Sequence, residues 1–406
     1  MKMLRKTIKA IVVIVLLKVI MLIFDRYSPA SSIFHRQFLF SLQLLVIVWL
    51  LLSLLLFILK KEKSWVARFL PALIVMVVLA IDVLFSFWMG APAKIPGFLK
   101  KEFKYHYVYF ERNVMEYEPC SIFDSAYSYK LMPGLAFTFG NIEYKNSYVV
   151  NSESLRDEEA AISGPQIICA GNSFTLGIGV DKNQDFPGLL GVKTGKTVLN
   201  AGNSGYGTPR QLKRVVNTDT SFLQYIVIQY SKYDVYENEA FVKRNDFLPL
   251  KSNSEYKKAV KEYRWRKEYF PGKYAITICY DFLKTIVNKV RSQKYYLSND
   301  ATASADYFLK VIDKYKLQND LKIIVTEIND YKDMNSGFLP AIDSLLQKPE
   351  FTHLKNTVRT VNVSDVLTPA DYYIIDPHLR LSGYEKIAGK ISGVISQDSV
   401  SQHNPQ

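Results

Sequence analysis

Three long apolar runs open the chain, at 7–24, 38–59 and 65–88, each close to the length of about 20 residues that a helix needs to cross a hydrocarbon core. They predict three transmembrane helices. Beyond residue 96 the pattern breaks up: 105–110 and 147–151 alternate weakly as short strands, and Pro119, Pro133 and Gly134 mark turns. From 166 onward, apolar β-branched runs recur at 167–170, 197–200, 225–229, 321–326 and 358–363. Between them, 209–216, 303–315, 341–347 and 383–395 place apolar residues near the 3.6-residue helical period. This alternation predicts βαβ units and a parallel sheet covered by helices on both faces. The chain therefore divides into a membrane anchor at 1–95, a connector at 96–165, an α/β domain at 166–397 with an insertion at 235–299, and a polar tail at 398–406 expected to be disordered. The short strands of the connector are expected to pack on the α/β domain.

Charge sharpens the membrane reading. The net charge is +13, yet no zinc-finger spacing or RNA-binding motif accompanies it, and lysines crowd the ends of the apolar runs. Lys2, Arg5, Lys6 and Lys9 crowd the N-terminus up to the start of the first run, and Lys60, Lys61, Lys63 and Arg68 crowd the second connection and the start of the third run. The positive-inside rule puts both groups in the cytoplasm and the rest of the chain after Trp88 outside it. The first run is too long for a cleavable signal, holds Lys9 and Lys18, and lacks a small-residue cleavage site. Lys18, Gln43 and Asp82 are polar residues within the spans that fall in the half nearer the outer surface, and a Lys18–Asp82 pair locking a small bundle is expected over a conduit. Three cysteines, Cys120, Cys169 and Cys279, form no metal or redox spacing; Cys169 falls in a strand as a small buried hydrophobe, and a Cys120–Cys279 disulfide is open.

The chemistry concentrates at 166–180. Ile167 to Ala170 runs into Gly171-Asn172-Ser173, with Gly177 and Gly179 following, so a hydroxyl sits at the carboxyl edge of the sheet with backbone N–H groups behind it. A serine nucleophile needs a base, and histidine is scarce. His35 falls in the membrane part, His106 in the connector, His353 in a loop before the last strand and His403 in the tail; His378 alone follows the last strand on the edge that carries Ser173. Asp376 precedes it across Pro377, where it can orient the imidazole; the same three residues also suit a plain helix-initiating turn. The insertion, rich in Lys, Arg and Tyr at 256–270, reads as amphipathic helices with solvated charges, with a lid over a sugar or polyanion as the alternative. The aromatic connector residues are expected in a core ahead of stacking on a sugar.

Gly171-Asn172-Ser173-Phe174-Thr175, then VLNAGNSGYGT at 198–208, then Asp376-Pro377-His378 with Gly383 beyond, together resemble the SGNH (GDSL) hydrolase superfamily over about 147–395. The stretch SYVVNSESLRDEE at 147–159 is similar to the segment ahead of the nucleophile in its membrane-linked, polysaccharide-modifying members. The resemblance implies a flavodoxin-like three-layer α/β/α domain, with Ser173 as nucleophile, His378 as base and Asp376 as its orienting acid. It also implies an oxyanion hole from the N–H groups of Ser173 and Gly205. Asn172 stands where the family usually has Asp and supports the loop. Tyr233, in Ser231-Lys232-Tyr233-Asp234, replaces the Asn whose amide donates to the oxyanion, so its hydroxyl becomes the candidate third donor. Asp-x-His replaces the commoner Asp-x-x-His, and Arg380 stands where Asn is frequent.

The implied activity is a serine esterase or O-acyltransferase on acyl groups, chiefly acetyl, of a surface or cell-wall glycan, working through an acyl-serine with no cofactor and no metal. A transferase would need a multi-spanning membrane acyltransferase as partner, because three helices hardly suffice to carry an activated acyl group across a bilayer. The competing expectation, motivated by Tyr233, is a degenerate domain that binds glycan or such a partner without turnover.

Overall fold

The computed structural model describes residues 51, 65–248, 250–269, 272–291, 300–317, 321–334 and 336–403. In chain order they form α1 (Trp65–Gly90), α2 (Lys100–His106), β1 (Ser121–Asp124), β2 (Ser128–Leu131), β3 (Ala136–Asn141), β4 (Tyr144–Val149) and β5 (Ile167–Ala170). Next come α3 (Ser173–Leu176), α4 (Phe186–Thr194), β6 (Val198–Asn200), α5 (Thr208–Val216), β7 (Tyr225–Tyr230), α6 (Asp234–Lys243), α7 (Asn253–Lys267) and α8 (Lys273–Arg291). The chain closes with α9 (Ala301–Lys314), β8 (Lys322–Glu327), α10 (Phe338–Leu345), β9 (Val358–Thr360) and α11 (Leu381–His403). Contacts divide it into two compact units, 1–111 with 263–293 and 112–262 with 294–406.

In the larger unit five strands form one parallel sheet in the order β6-β5-β7-β8-β9. β5 explains why its sequence is apolar without alternation. Ile168 and Ala170 face a core shared with Leu212, Phe308 and Ile342 of α5, α9 and α10, while Ile167 and Cys169 face Phe186, Leu190 and Ile387 of α4 and α11. A strand buried on both faces has no polar side, and the result is a three-layer α/β/α domain. The chain steps from β5 to β6 on one side and returns to β7 on the other, so the crevice where such folds bind ligands opens beyond the carboxyl end of β5. Two antiparallel hairpins, β1–β2 and β3–β4, complete this unit.

All five expected strands are present. Helix α4 was not foreseen: Asp185 caps it, Pro187 opens it and Gly195 in the left-handed region ends it, but glycines at 188 and 191 leave no clear apolar stripe. The stretch 105–110, expected as a strand, is helical, because Phe103, His106 and Tyr107 recur at helical spacing and are buried together, and a π-helical turn at Tyr107–Glu111 extends α2. The expected connector 96–165 is thus divided at Glu111, and 263–293 of the insertion goes with α1, not with the sheet. Helix α11 runs through His403, past the start of the expected tail.

Among the described residues one helix is long and apolar enough to cross a membrane, with its apolar window at Leu73–Gly90 in α1. The runs 7–24 and 38–59 lie outside the described residues apart from Leu51, and Lys18 lies outside them too. Asp82, expected to pair with Lys18, is buried and accepts hydrogen bonds from Tyr269 Oη at 2.7 Å and from the backbone N–H of Ala275 at 3.1 Å. All three cysteines are unpaired, so no Cys120–Cys279 bond forms.

Candidate active site

The turn after β5 is shaped by close approach. A Cβ on Gly171 would come within 2.0 Å of Thr175 Oγ1 and 2.8 Å of Gln229 Oε1, so only glycine fits there. Asn172 then caps the single turn of α3, its Oδ1 accepting from Phe174 N at 3.2 Å, and Ser173 becomes the first helical residue. The loop beyond it is pinned by Arg156, whose buried guanidinium donates to the carbonyls of Leu176, Gly177 and Val180 at 2.8, 2.6 and 2.7 Å. Asp185 pairs with that guanidinium at 3.5 Å, and burial still pushes its carboxyl up to about 6. The segment at 147–159 therefore braces the nucleophile loop.

The structure brings the three predicted residues together. His378 Nε2 lies 2.8 Å from Ser173 Oγ, and His378 Nδ1 lies 2.5 Å from Asp376 Oδ1. The carboxylate also accepts from the backbone N–H of His378 at 3.0 Å, so the Asp-Pro-His turn sets the imidazole's orientation. Asp376 is fully buried, His378 nearly so, and the Phe174 ring packs 5.3 Å from the imidazole. The other carboxylate oxygen, Asp376 Oδ2, faces Tyr144 Oη at 3.3 Å and Asn141 Nδ2 at 3.4 Å. Burial, and then the neighbouring carboxylate, hold the Tyr144 phenol well above its ordinary range, so it stays a donor. Glu143, on the turn between β3 and β4, accepts from the backbone N–H groups of Ile374, Ile375 and Asp376 at 2.7, 2.9 and 2.8 Å. Sequence reasoning missed Asn141, Glu143 and Tyr144; the segment at 140–144 carries only the signal of a hairpin turn.

Gly205 lies on the loop after β6 at φ +71°, and a Cβ on it would meet Tyr129 Oη at 2.6 Å. Among the described residues the backbone N–H groups of Ser173 and Gly205 have no partner in the fold's own hydrogen bonds. Asn203 N donates to Gly171 O at 3.0 Å, tying the Gly205 loop to the serine loop. Tyr233 departs from the expectation: its side chain is 62% exposed, with Lys232 Nζ 5.1 Å from its ring, and an exposed ring is not the pre-organised donor that an oxyanion hole uses. The residue after it matters more. Asp234 is buried, its carboxyl pushed up to about 8 by burial, and it is bonded by Ser231 N, by Gln211 Nε2 and by the Asn172 side chain. A carboxylate at 172 would face a second buried carboxyl, which gives a physical reason for the amide there. Arg380 braces the acid loop by donating through Nε to Tyr372 O at 2.9 Å. His106 belongs to the smaller unit and bonds there to Thr277 of the same unit, and exposed His353 pairs with Asp313.

Together these residues form a serine, imidazole and carboxylate in line at the carboxyl edge of a parallel sheet. That is an α/β domain with the geometry of a serine hydrolase site. No protein-family profile and no curated protein matches the chain. Among solved structures it is similar to a member of the lipolytic protein G-D-S-L family from Veillonella parvula, at 12% identity and a TM-score of 0.33, over 57% of this chain and 97% of that one.

Proposed function

We propose that this protein is an SGNH (GDSL)-type serine esterase or O-acyltransferase, anchored in a membrane and acting outside the cytoplasm on acyl groups, chiefly acetyl, of a surface or cell-wall polysaccharide. The 2.8 Å contact between Ser173 Oγ and His378 Nε2, continued to Asp376, carries the reading. Ser173 Oγ attacks the ester carbonyl while its proton passes to His378 Nε2, and the Asp376 carboxylate stabilises the imidazolium that forms. The Ser173 and Gly205 N–H groups hold the oxyanion; collapse expels the alcohol with the proton from Nε2 and leaves acyl-Ser173. Water or a sugar hydroxyl, deprotonated by the same nitrogen, then takes the acyl group, and this choice separates esterase from transferase.

The glycan assignment rests on the motif order and on the segment at 147–159. The membrane assignment rests on the apolar runs and the basic residues that flank them. A second reading, glycan or partner binding without turnover, is favoured by the exposure of Tyr233, since loss of one oxyanion donor costs about 100- to 1000-fold in turnover. Purified full-length protein incubated with O-acetylated polysaccharide distinguishes them. Acetate release abolished by Ser173→Ala supports the esterase. Acetyl transfer seen only when a multi-spanning acyltransferase is co-reconstituted, and again abolished by Ser173→Ala, supports the transferase. Binding with neither activity leaves the second reading.

A further inference from the structure

Asp82 sits in the middle of an apolar helix, where an ionisable group needs a partner, and its partner is another helix's end. Its Oδ1 accepts from Ala275 N, in the first turn of α8, and its Oδ2 from Tyr269 Oη. The carboxylate thus satisfies an orphan N–H of α8 and faces the positive end of that helix's dipole. Gly272, just ahead of α8, lies deeper along α1: a Cβ on it would be 3.5 Å from Val78 Cγ1. The contact is fixed from a second side, where Lys273 Nζ pairs with Glu111 at 2.6 Å and His106 Nδ1 meets Thr277 Oγ1 at 2.8 Å.

Depth follows from helix geometry. The 26 residues of α1 span about 39 Å at about 1.5 Å per residue, against about 30 Å of hydrocarbon. Val78 and Asp82 lie about 18 and 12 Å from the Gly90 end, and about 20 and 26 Å from the Trp65 end. Both are therefore inside the hydrocarbon whichever end of α1 is flush with its edge. Helix α8 begins at that depth. Its Ile276, Cys279, Tyr280 and Leu283 recur at i, i+3, i+4 and i+7 and are all exposed, while Ala275 and Ile278 are buried on the inner face. An apolar stripe that starts beside a membrane-crossing helix, with its backbone end capped by a carboxylate, meets the requirements lipid imposes on a helix terminus.

We infer that α8 is a re-entrant element whose outward stripe, Ile276, Cys279, Tyr280 and Leu283, contacts lipid acyl chains, with Asp82 capping its immersed end. The inference rests on the reading that α1 crosses the membrane. Cys279 is a native reporter, since Cys120 and Cys169 are buried. Full-length protein in phosphatidylcholine vesicles is labelled there with an environment-sensitive fluorophore and compared with Met76→Cys on α1 and Lys258→Cys on α7, both in a Cys279→Ser background in which Cys120 and Cys169 stay buried. The expected result is blue-shifted emission at Cys279 and quenching by chain-labelled doxyl lipid several-fold stronger than at 258, similar to that at 76. Asp82→Ala should shift the Cys279 label toward water and iodide access, with Asp82→Asn retaining more of the lipid quenching. Strong lipid quenching at 76 with water-like behaviour at 279 would overturn the re-entrant helix alone. Water-like behaviour at 76 would overturn the anchor and the inference together.

Discussion

Glu143 offers the sharpest test of how the site is held, because it touches neither the serine nor the histidine. Its Oε1 accepts one backbone N–H of the acid loop and its Oε2 accepts two, the last from Asp376 itself. Glu143→Gln turns one of these oxygens into a donor that faces an N–H, so at least one charge-assisted bond is lost and one unfavourable contact is made. Hydrogen bonds to charged groups contribute about 1.5–3 kcal/mol each, and partial exposure of Glu143 puts the loss near the lower bound. If that energy fixes Asp376 and His378 in register, about 1.4 kcal/mol per tenfold translates into a fall in kcat of about tenfold. Steady-state hydrolysis of p-nitrophenyl acetate, with kcat and KM separated, measures it. The expected outcome is a lower kcat at near-constant KM, a parallel drop in the rate of fluorophosphonate labelling, and partial recovery in Glu143→Asp. A folded Glu143→Gln protein with kcat within about twofold of wild type would refute the positioning role.

Asp234 should make stability depend on pH. Its folded pKa, raised to about 8, means the stabilising protonated form is fully present below the ordinary carboxylate value and is lost as pH rises through about 8. Asp234→Asn should therefore gain in Tm relative to wild type between about pH 5 and pH 9, and a difference that is flat with pH would count against it. Asn172→Asp puts a second carboxyl against Asp234, so its activity relative to wild type should fall by about tenfold or more as pH rises, because two buried neighbouring carboxylates cannot both ionise cheaply. Tyr233→Phe should leave kcat within about twofold of wild type; a loss approaching 100-fold would show that the exposed hydroxyl reaches the oxyanion after all.

Burial decides how much of this fold and site can be read in the sequence. Strands buried on both faces, such as Ile167–Ala170, are uninterrupted apolar runs, and the parallel sheet is legible from their spacing. Ser173, Asp376 and His378 are legible because histidine is rare and chain order places them on one edge. Asn141, Glu143 and Tyr144 are not, because they reach the acid loop through a hairpin more than two hundred residues away in sequence, and a turn of that composition has many ordinary uses. The helix at 100–106 was obscured because aromatic residues at 105–110 suit a strand locally, while burial of Phe103 and His106 against their own unit selects a helix. Asp82 was legible as a residue in need of a partner. The partner was not, since a backbone N–H at the start of a helix leaves no mark in composition.

The central claim is an activated Ser173. Its most direct measurement is intact mass and peptide mapping of the full-length protein after treatment with a fluorophosphonate. The predicted result is a single adduct on the peptide that contains Ser173, absent from Ser173→Ala and strongly slowed in His378→Ala and Asp376→Asn. No adduct on the wild type, or an adduct that persists in Ser173→Ala, would contradict it.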